Sequence, residues 1–225
     1  MPESIQVDVG SDRVTALIYA APRPERAGIT LILGHGAGAP QTSGFMVSFA
    51  EALAQRGADT ITFNFPYTEQ KRRLPDRAET LEACFRDVIG AVRAHGDLGT
   101  GRLVIGGKSL GGRMASHVAA AGFPGLAGLV FLGYPLHPPG KPERLRDRHL
   151  ARIDEPMLFV QGSRDAFGTP EELAPILAPL GPRVTVHVVE GGDHSFAVPK
   201  RGPVSQPEVY ARIQDEIARW LRARR

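Results

Sequence analysis

Residues 102–112 read RLVIGGKSLGG, an apolar run followed by four glycines that flank a lysine, a serine and a leucine. The apolar run predicts a buried β-strand, and the residues from Gly111 onward predict a helix. A sharp turn between such a strand and helix would hold Ser109 in a strained backbone conformation above the carboxyl edge of a sheet. Gly107 and Gly111 lack side chains where strand and helix must pass closely. The stretch therefore predicts an α/β fold that presents one serine.

The rest of the sequence alternates between strand and helix patterns. The predicted strands are residues 4–9, 13–20, 29–34, 60–65, 102–107, 126–134, 156–162 and 183–189. The predicted helices are residues 48–57, 77–96, 112–122, 169–181 and 207–223. Apolar strands separated by helices favour a mainly parallel sheet with helices on both faces. Because no repeat, linker or low-complexity tract interrupts the pattern, we expect residues 1–225 to form one domain.

The composition is that of an ordinary globular protein, with 42% hydrophobic and 23% charged residues. The 27 basic and 24 acidic residues are too evenly balanced for a nucleic-acid-binding surface. The sequence has no apolar stretch of membrane-spanning length and no leader-like start, so we expect a cytoplasmic protein with no membrane partner. The one cysteine, Cys84, lies in a predicted helix and is expected to be a small buried side chain. We expect no cofactor and no metal ion.

Two further chemical groups follow predicted strands at the same edge of the sheet. Asp165 comes directly after the seventh strand, and Thr169 already serves as the cap of the next helix. His194 follows the eighth strand and two glycines that let the loop fold back over the sheet, whereas His35 is assigned to a glycine turn. The carboxyl ends of parallel strands meet at one edge, so Ser109, the acid and the histidine are predicted to come together. The alternatives are a turn aspartate and an ordinary loop histidine.

These three residue types together indicate nucleophilic catalysis. A serine hydroxyl is a poor nucleophile at neutral pH, so a histidine must take its proton during attack and return it to the leaving group. A carboxylate orients that histidine and stabilises the transient imidazolium. We therefore predict a catalytic triad with Ser109 as nucleophile, His194 as base and Asp165 as the acid.

The glycine-rich stretch LILGHGAGAP, residues 31–40, follows the third predicted strand. Attack on a carbonyl creates an oxyanion, which needs hydrogen-bond donors already in place. We predict the backbone N–H groups of Ala37 and Leu110 as those donors. One alternative is a turn whose glycines serve packing alone. A phosphate-binding loop is disfavoured because the stretch lacks both the Walker ending and the GxGxxG spacing.

Four motifs together resemble the α/β-hydrolase superfamily across essentially the whole chain. They are HGAG at 35–38, GKSLGG at 107–112, GSRD at 162–165 and GGDH at 191–194. The compact length is similar to that of the dienelactone-hydrolase-like group, and NFPYTEQKRRLPDR at 64–77 resembles small hydrolases of the testis-expressed hydrolase-like group. The resemblance implies an eight-stranded sheet whose second strand is antiparallel, and a hydrolase of ester or related bonds. Dienelactone hydrolase itself uses a cysteine where Ser109 stands, so its substrate does not transfer.

The segment between the sixth and seventh predicted strands, residues 135–155, is too short for a large helical lid. A minimal lid favours an open site, and we predict hydrolysis of small to medium acyl esters or thioesters through an acyl-enzyme intermediate. The partner would then be a small-molecule acyl ester. Two alternatives stay open: a peptidase or acyltransferase on the same scaffold, and a non-catalytic interaction domain.

Basic residues flank the predicted site in the sequence. Lys108 directly precedes the predicted nucleophile, and the loop after the fourth strand carries Arg72 and Arg73. If these charges face the site, they attract esters that bear a carboxylate or a phosphate. All three are therefore candidate substrate-binding residues. The alternative is that an acid holds Lys108 and that the arginines belong to a solvated loop.

Overall fold

The computed structural model describes residues 2–199 and 201–223. Its strands are β1 (Glu3–Val9), β2 (Asp12–Tyr19), β3 (Ile29–Gly34), β4 (Ala58–Phe63), β5 (Arg102–Lys108), β6 (Leu126–Leu132), β7 (Met157–Gly162) and β8 (Val184–Val189). Its α-helices are α1 (Gly44–Gln55), α2 (Pro66–Glu69), α3 (Ala78–Arg93), α4 (Leu110–Ala120), α5 (Pro170–Leu177) and α6 (Gln206–Ala223).

The strands form one eight-stranded sheet in the order β1-β2-β4-β3-β5-β6-β7-β8. Strand β2 is antiparallel to both of its neighbours, β1 and β4, and the other adjacent strands are parallel. The predicted mainly parallel sheet with an antiparallel second strand is confirmed. Strands β3 and β7 are buried along their whole length, which explains why they are apolar on both faces instead of alternating.

Helices cover both faces of the sheet, as predicted. Helices α3, α4 and α5 pack on one face in a core that includes Cys84, Met114 and Leu173. Helices α1 and α6 pack on the other face in a core that includes Phe49 and Ile217. Cys84 is buried in the first of these cores, as expected. None of the helices within residues 2–199 and 201–223 combines the length and the apolar character that crossing a membrane requires.

Helix α1 begins earlier than the sequence pattern predicts. It starts at Gly44, whereas the sequence pattern predicts a helix over 48–57. The ring of Phe45 stacks on that of Phe49 with centroids 4.3 Å apart, and Met46 is buried beside them. These aromatic and apolar contacts extend the buried face of the helix by one turn toward its N-terminus.

Strands β4 and β6 each end two residues earlier than predicted. Strand β4 stops at Phe63 because Pro66 opens the short helix α2, which the sequence analysis missed. Strand β6 stops at Leu132 because Gly133 adopts φ 68°, a left-handed conformation that cannot continue a strand. Both early endings leave room for loops at the carboxyl edge of the sheet.

The first turn of α4 lies directly against the end of β3. A Cβ atom placed on Gly111 would lie 2.1 Å from the carbonyl oxygen of Gly34, and one placed on Gly107 would lie 2.2 Å from the same oxygen. No side chain fits at such distances. Gly107 also adopts φ 152°, which favours glycine. These are the two glycines expected to allow close passage of strand and helix, and the packing confirms that expectation.

We predict that Gly111→Ala lowers the free energy of unfolding by about 2–3 kcal/mol, because backbone atoms must move to admit the methyl group. Gly90→Ala is the matched control, since Gly90 is an exposed residue of α3 whose added Cβ would meet nothing within 4 Å. That control should stabilise the protein by about 0.5–1 kcal/mol through helix propensity. Urea denaturation followed by circular dichroism measures both, and equal effects at the two positions would contradict the packing argument.

Candidate active site

Ser109 lies between the last residue of β5 and the first residue of α4. Its backbone adopts φ 49° and ψ −109°, a conformation that costs a non-glycine residue about 1–3 kcal/mol. Two backbone hydrogen bonds hold it there: the Ser109 N–H donates to Leu132 O at 3.1 Å, and the Arg113 N–H donates to Ser109 O at 3.0 Å. The strained turn presents Ser109 to the cavity at the carboxyl edge of the sheet, as the strand-turn-helix pattern predicts.

The three predicted catalytic residues form one hydrogen-bonded chain. His194 Nε2 lies 2.8 Å from Ser109 Oγ, and His194 Nδ1 lies 2.7 Å from Asp165 Oδ2. A carboxylate only accepts hydrogen bonds, so Nδ1 carries the ring proton and Nε2 is left to accept from the serine hydroxyl. The Asp165 side chain is 0% exposed and that of His194 is 20% exposed, so the acid is buried behind the base.

Two residues that the sequence analysis missed support the acid and the base. The Phe167 N–H donates to Asp165 Oδ1 at 2.8 Å, and the Phe167 ring stacks on the His194 ring with centroids 4.1 Å apart. Gln161 Nε2 donates to Asp165 Oδ2 at 2.8 Å. In the sequence, the role of Gln161 is indicated by its being a polar residue inside the otherwise apolar run MLFVQG.

The predicted oxyanion donors lie beside the serine. Ala37 lines the same cavity as Ser109, and a Cβ atom placed on Gly36 would lie 3.8 Å from Ser109 Cβ. Leu110 is the first residue of α4, where backbone N–H groups have no carbonyl partner within the helix. The structure therefore brings the Ala37 turn and the start of α4 together at Ser109, and their role as oxyanion donors stays a prediction.

His35 is a buried support for the Ala37 turn, a role that the sequence analysis missed. The Phe65 N–H donates to His35 Nε2 at 3.1 Å, so the ring proton is on Nδ1, which lies 2.7 Å from Gly36 O. Burial lowers the pKa of His35 to about 4, although the bond to Gly36 O opposes the shift. The imidazole is therefore neutral at neutral pH and ties the glycine turn to the residues after β4.

We predict that His35 makes the protein less stable as the pH falls from 6.5 toward 4. The unfolded chain takes up a proton at the ordinary pKa of 6.5, whereas the folded protein takes it up only near 4. Between these values His35 contributes a slope of about 1.4 kcal/mol per pH unit, and above 6.5 its contribution is fully present.

His35→Gln retains an acceptor for the Phe65 N–H but cannot titrate, so the fall in unfolding free energy on acidification should be shallower in this variant. Urea denaturation at a series of pH values checks it. His149, whose pKa burial lowers to about 3, contributes with the same sign in both proteins, so their difference reports on His35. Parallel stability curves for the two proteins would contradict the role given to His35.

Lys108 lines the cavity beside Ser109, as predicted for a residue of the site, but it is not an exposed charge. Its residue surface is only 9% exposed, and Nζ donates to the carbonyl oxygen of His194 at 2.6 Å. Burial lowers the pKa of Lys108 to about 8, although the carboxylates of Asp165 and Asp193 favour the charged form. A carbonyl, and not the acid that the sequence alternative assumed, holds the ammonium. Lys108 thereby fixes the backbone of the histidine loop.

Arg72 and Arg73 do not reach the cavity beside the serine. Arg72 donates to Asp76 Oδ1 at 2.6 Å and to Gln70 Oε1 at 2.8 Å, both within its own loop. Arg73 is exposed. Neither arginine is among the residues that line the cavity. The expectation that these two side chains contact the substrate does not fit this arrangement, because local ion pairing keeps Arg72 on the outer surface.

The cavity beside Ser109 has a volume of about 360 Å³. Phe45, Met46, Phe167 and Tyr210 give it a largely apolar lining. Residues 135–155 are all described and contain no α-helix, in keeping with the expected minimal lid. A larger groove of about 480 Å³ between β8 and α6 is lined by none of the candidate catalytic residues. Within the described part of the chain, no group of three or more His, Cys, Asp or Glu side chains is arranged to hold a metal ion.

Comparison with known proteins adds a family and several structural neighbours. A family model described as an alpha/beta hydrolase domain matches residues 27–222. The structure of an α/β serine hydrolase without a lid from Xanthomonas campestris is similar, with a TM-score of 0.74, 20% identity, and coverage of 97% of this chain and 94% of that one. A dienelactone hydrolase from Anabaena variabilis has a TM-score of 0.75, 19% identity, and coverage of 98% and 96%. At such identities the likeness is one of fold.

Proposed function

This chain belongs to the α/β-hydrolase domain family, and on that basis we propose that it is a serine hydrolase that uses Ser109, His194 and Asp165 as a catalytic triad. The observation that carries the proposal is the unbroken hydrogen-bond chain from Ser109 Oγ through His194 to Asp165, with distances of 2.8 Å and 2.7 Å. A strained backbone at the serine supports it further, because such strain persists at functional sites.

The proposed reaction begins when Ser109 Oγ attacks the carbonyl carbon of an ester or thioester while His194 Nε2 takes the hydroxyl proton. The carbonyl oxygen becomes an oxyanion that the N–H groups of Ala37 and Leu110 stabilise. The intermediate collapses, the C–O or C–S bond breaks, and His194 returns the proton to the leaving alcohol or thiol. Water then attacks the acyl-enzyme by the same steps, releasing the carboxylic acid and restoring the serine. Asp165 keeps the imidazole in the required tautomer throughout.

The proposed substrates are small to medium acyl esters or thioesters. A cavity of about 360 Å³ with an aromatic and aliphatic lining suits an acyl group of modest size. None of residues 135–155 lines that cavity, so this segment adds no wall that would deepen it for long acyl chains.

We predict that Ser109→Ala and His194→Ala each lower kcat by about 10³-fold or more, and that Asp165→Asn lowers it by a comparable or smaller factor. The three changes act on one unit, so combining them should cost little more than the largest single change. Hydrolysis of p-nitrophenyl esters and thioesters of rising chain length measures kcat, and a fluorophosphonate probe measures the reactivity of the serine.

Ser4→Ala serves as the control, since Ser4 is an exposed residue of the edge strand β1, and it should keep full labelling. Labelling that persists in Ser109→Ala would overturn the assignment of the nucleophile. If the protein hydrolyses peptides and not esters, the peptidase alternative is correct. A wild-type protein that neither labels nor hydrolyses any of these compounds would favour the non-catalytic alternative.

Because Lys108 is buried and holds the backbone of His194, its loss should affect neutral and charged substrates equally. We predict that Lys108→Met lowers kcat by about 10-fold for a neutral ester and for its carboxylated analogue alike, because the lost contact displaces His194. Arg72→Gln and Arg73→Gln should leave kcat/KM for both esters within about 2-fold, since exposed charges outside the cavity steer ligands weakly at physiological salt. A loss confined to the carboxylated ester, and reduced by added salt, would instead support the basic-rim hypothesis.

A further inference from the structure

Gln161 is a fully buried amide at the carboxyl end of β7, directly behind the candidate acid. Its Nε2 lies 2.8 Å from Asp165 Oδ2, 2.7 Å from Gly168 O and 3.3 Å from Tyr134 O. Its Oε1 accepts a hydrogen bond from the Tyr134 N–H at 2.8 Å. One side chain therefore joins the end of β6, the end of β7 and the loop that carries the acid.

The chemistry of these partners permits a single orientation of the amide. The three oxygens around Nε2 are a carboxylate and two carbonyls, which only accept hydrogen bonds, and the Tyr134 N–H only donates. A flipped amide would place oxygen against oxygen at three contacts and an NH₂ group against an N–H. Buried polar groups that lose their partners cost about 1–3 kcal/mol each, so the side chain is held in place.

Asp165 Oδ2 is the carboxylate oxygen that contacts the candidate base His194. It accepts from Gln161 Nε2 at 2.8 Å and from His194 Nδ1 at 2.7 Å. The other carboxylate oxygen accepts from the Phe167 N–H at 2.8 Å. The Phe167 N–H holds Oδ1, and the amide of Gln161 fixes the position of Oδ2 relative to the His194 imidazole.

The loops of the acid and the base also leave little room for adjustment. A Cβ atom placed on Gly162 would lie 2.4 Å from Gly192 O, so the two loops touch backbone to backbone. The acid loop therefore has little room to shift toward His194, and the angle of the carboxylate depends on its hydrogen bonds from Gln161 Nε2 and the Phe167 N–H.

We propose that Gln161 is a positioning residue that sets the Asp165 carboxylate toward His194 and so tunes the activity of the base. The proposal rests on the proposed serine hydrolase function. Gln161 is buried and does not line the cavity beside Ser109, so it acts through Asp165 and not on the substrate. Its loss should lower kcat and the rate of fluorophosphonate labelling by about 10- to 100-fold, with KM unchanged, because a small displacement of a catalytic group has that cost.

The test is a double-mutant cycle with Gln161→Met in the wild-type and Asp165→Ala backgrounds, read as kcat for an activated ester and as the labelling rate. The positioning role requires a large loss in the wild-type background and a loss below about 2-fold once the carboxylate is absent. A general loss of structure lowers both rates equally in the two backgrounds and would overturn the proposal. Gln214→Met, a buried glutamine on α6, is the matched control and should leave kcat unchanged.

A second variant keeps the test decisive if Gln161→Met fails to fold. Gln161→Glu preserves the size of the side chain but places a second carboxyl group against Asp165, and two such groups share one proton. The activity of this variant relative to wild type should therefore fall as the pH rises and the shared proton is lost. A pH-independent ratio would contradict the proposal.

The experiments distinguish a failure of the proposed serine hydrolase function from a failure of the positioning role of Gln161. If the wild-type protein lacks labelling that depends on Ser109, the proposed function fails, and the role of Gln161 fails with it. If the wild-type protein is active and both Gln161 variants keep normal kcat, the function stands and the positioning role alone is wrong.

Discussion

The first turn of α4 can lie against the end of β3 only because neither Gly34 nor Gly111 carries a side chain at the point of contact. This contact fixes the direction in which α4 leaves β5, and the residue between them must turn within one position. Ser109 makes that turn at φ 49° and so stands at the carboxyl edge of the sheet. The strain at Ser109 is small beside the packing of the buried face of α4, which holds the turn in place.

The same kind of contact recurs where the other loops meet. A Cβ atom on Gly162 would lie 2.4 Å from Gly192 O, and one on Gly133 would lie 2.9 Å from His194 O and 3.2 Å from Lys108 Nζ. Glycines at the ends of successive strands thus let the acid loop, the histidine loop and the lysine share a small volume. Side chains at these positions would separate the loops and lengthen the hydrogen bonds of the candidate triad.

Buried polar side chains also hold the loops of the candidate site in place. Lys108 holds the carbonyl of His194, Gln161 holds the carboxylate of Asp165, and His35 holds the turn of the predicted oxyanion donors. Each is buried, so hydrogen bonds within the protein replace those that water would otherwise make. In a medium of low polarity such bonds are strong and their loss is costly, which gives a rigid frame around an open cavity.

The sequence by itself determined the strand-turn-helix at residues 102–112, the mainly parallel character of the sheet and the loops that carry Asp165 and His194, because hydrophobic periodicity and turn chemistry are properties of neighbouring residues. The order of the strands within the sheet came only from the structure. The sequence also did not determine that Lys108 faces inward or that Gln161 and His35 are supports. Those roles depend on contacts such as Lys108 with His194, 86 positions apart, and Phe65 with His35, 30 positions apart. Only the tertiary structure decides which polar groups meet, since burial forces each to find a partner wherever the fold places one.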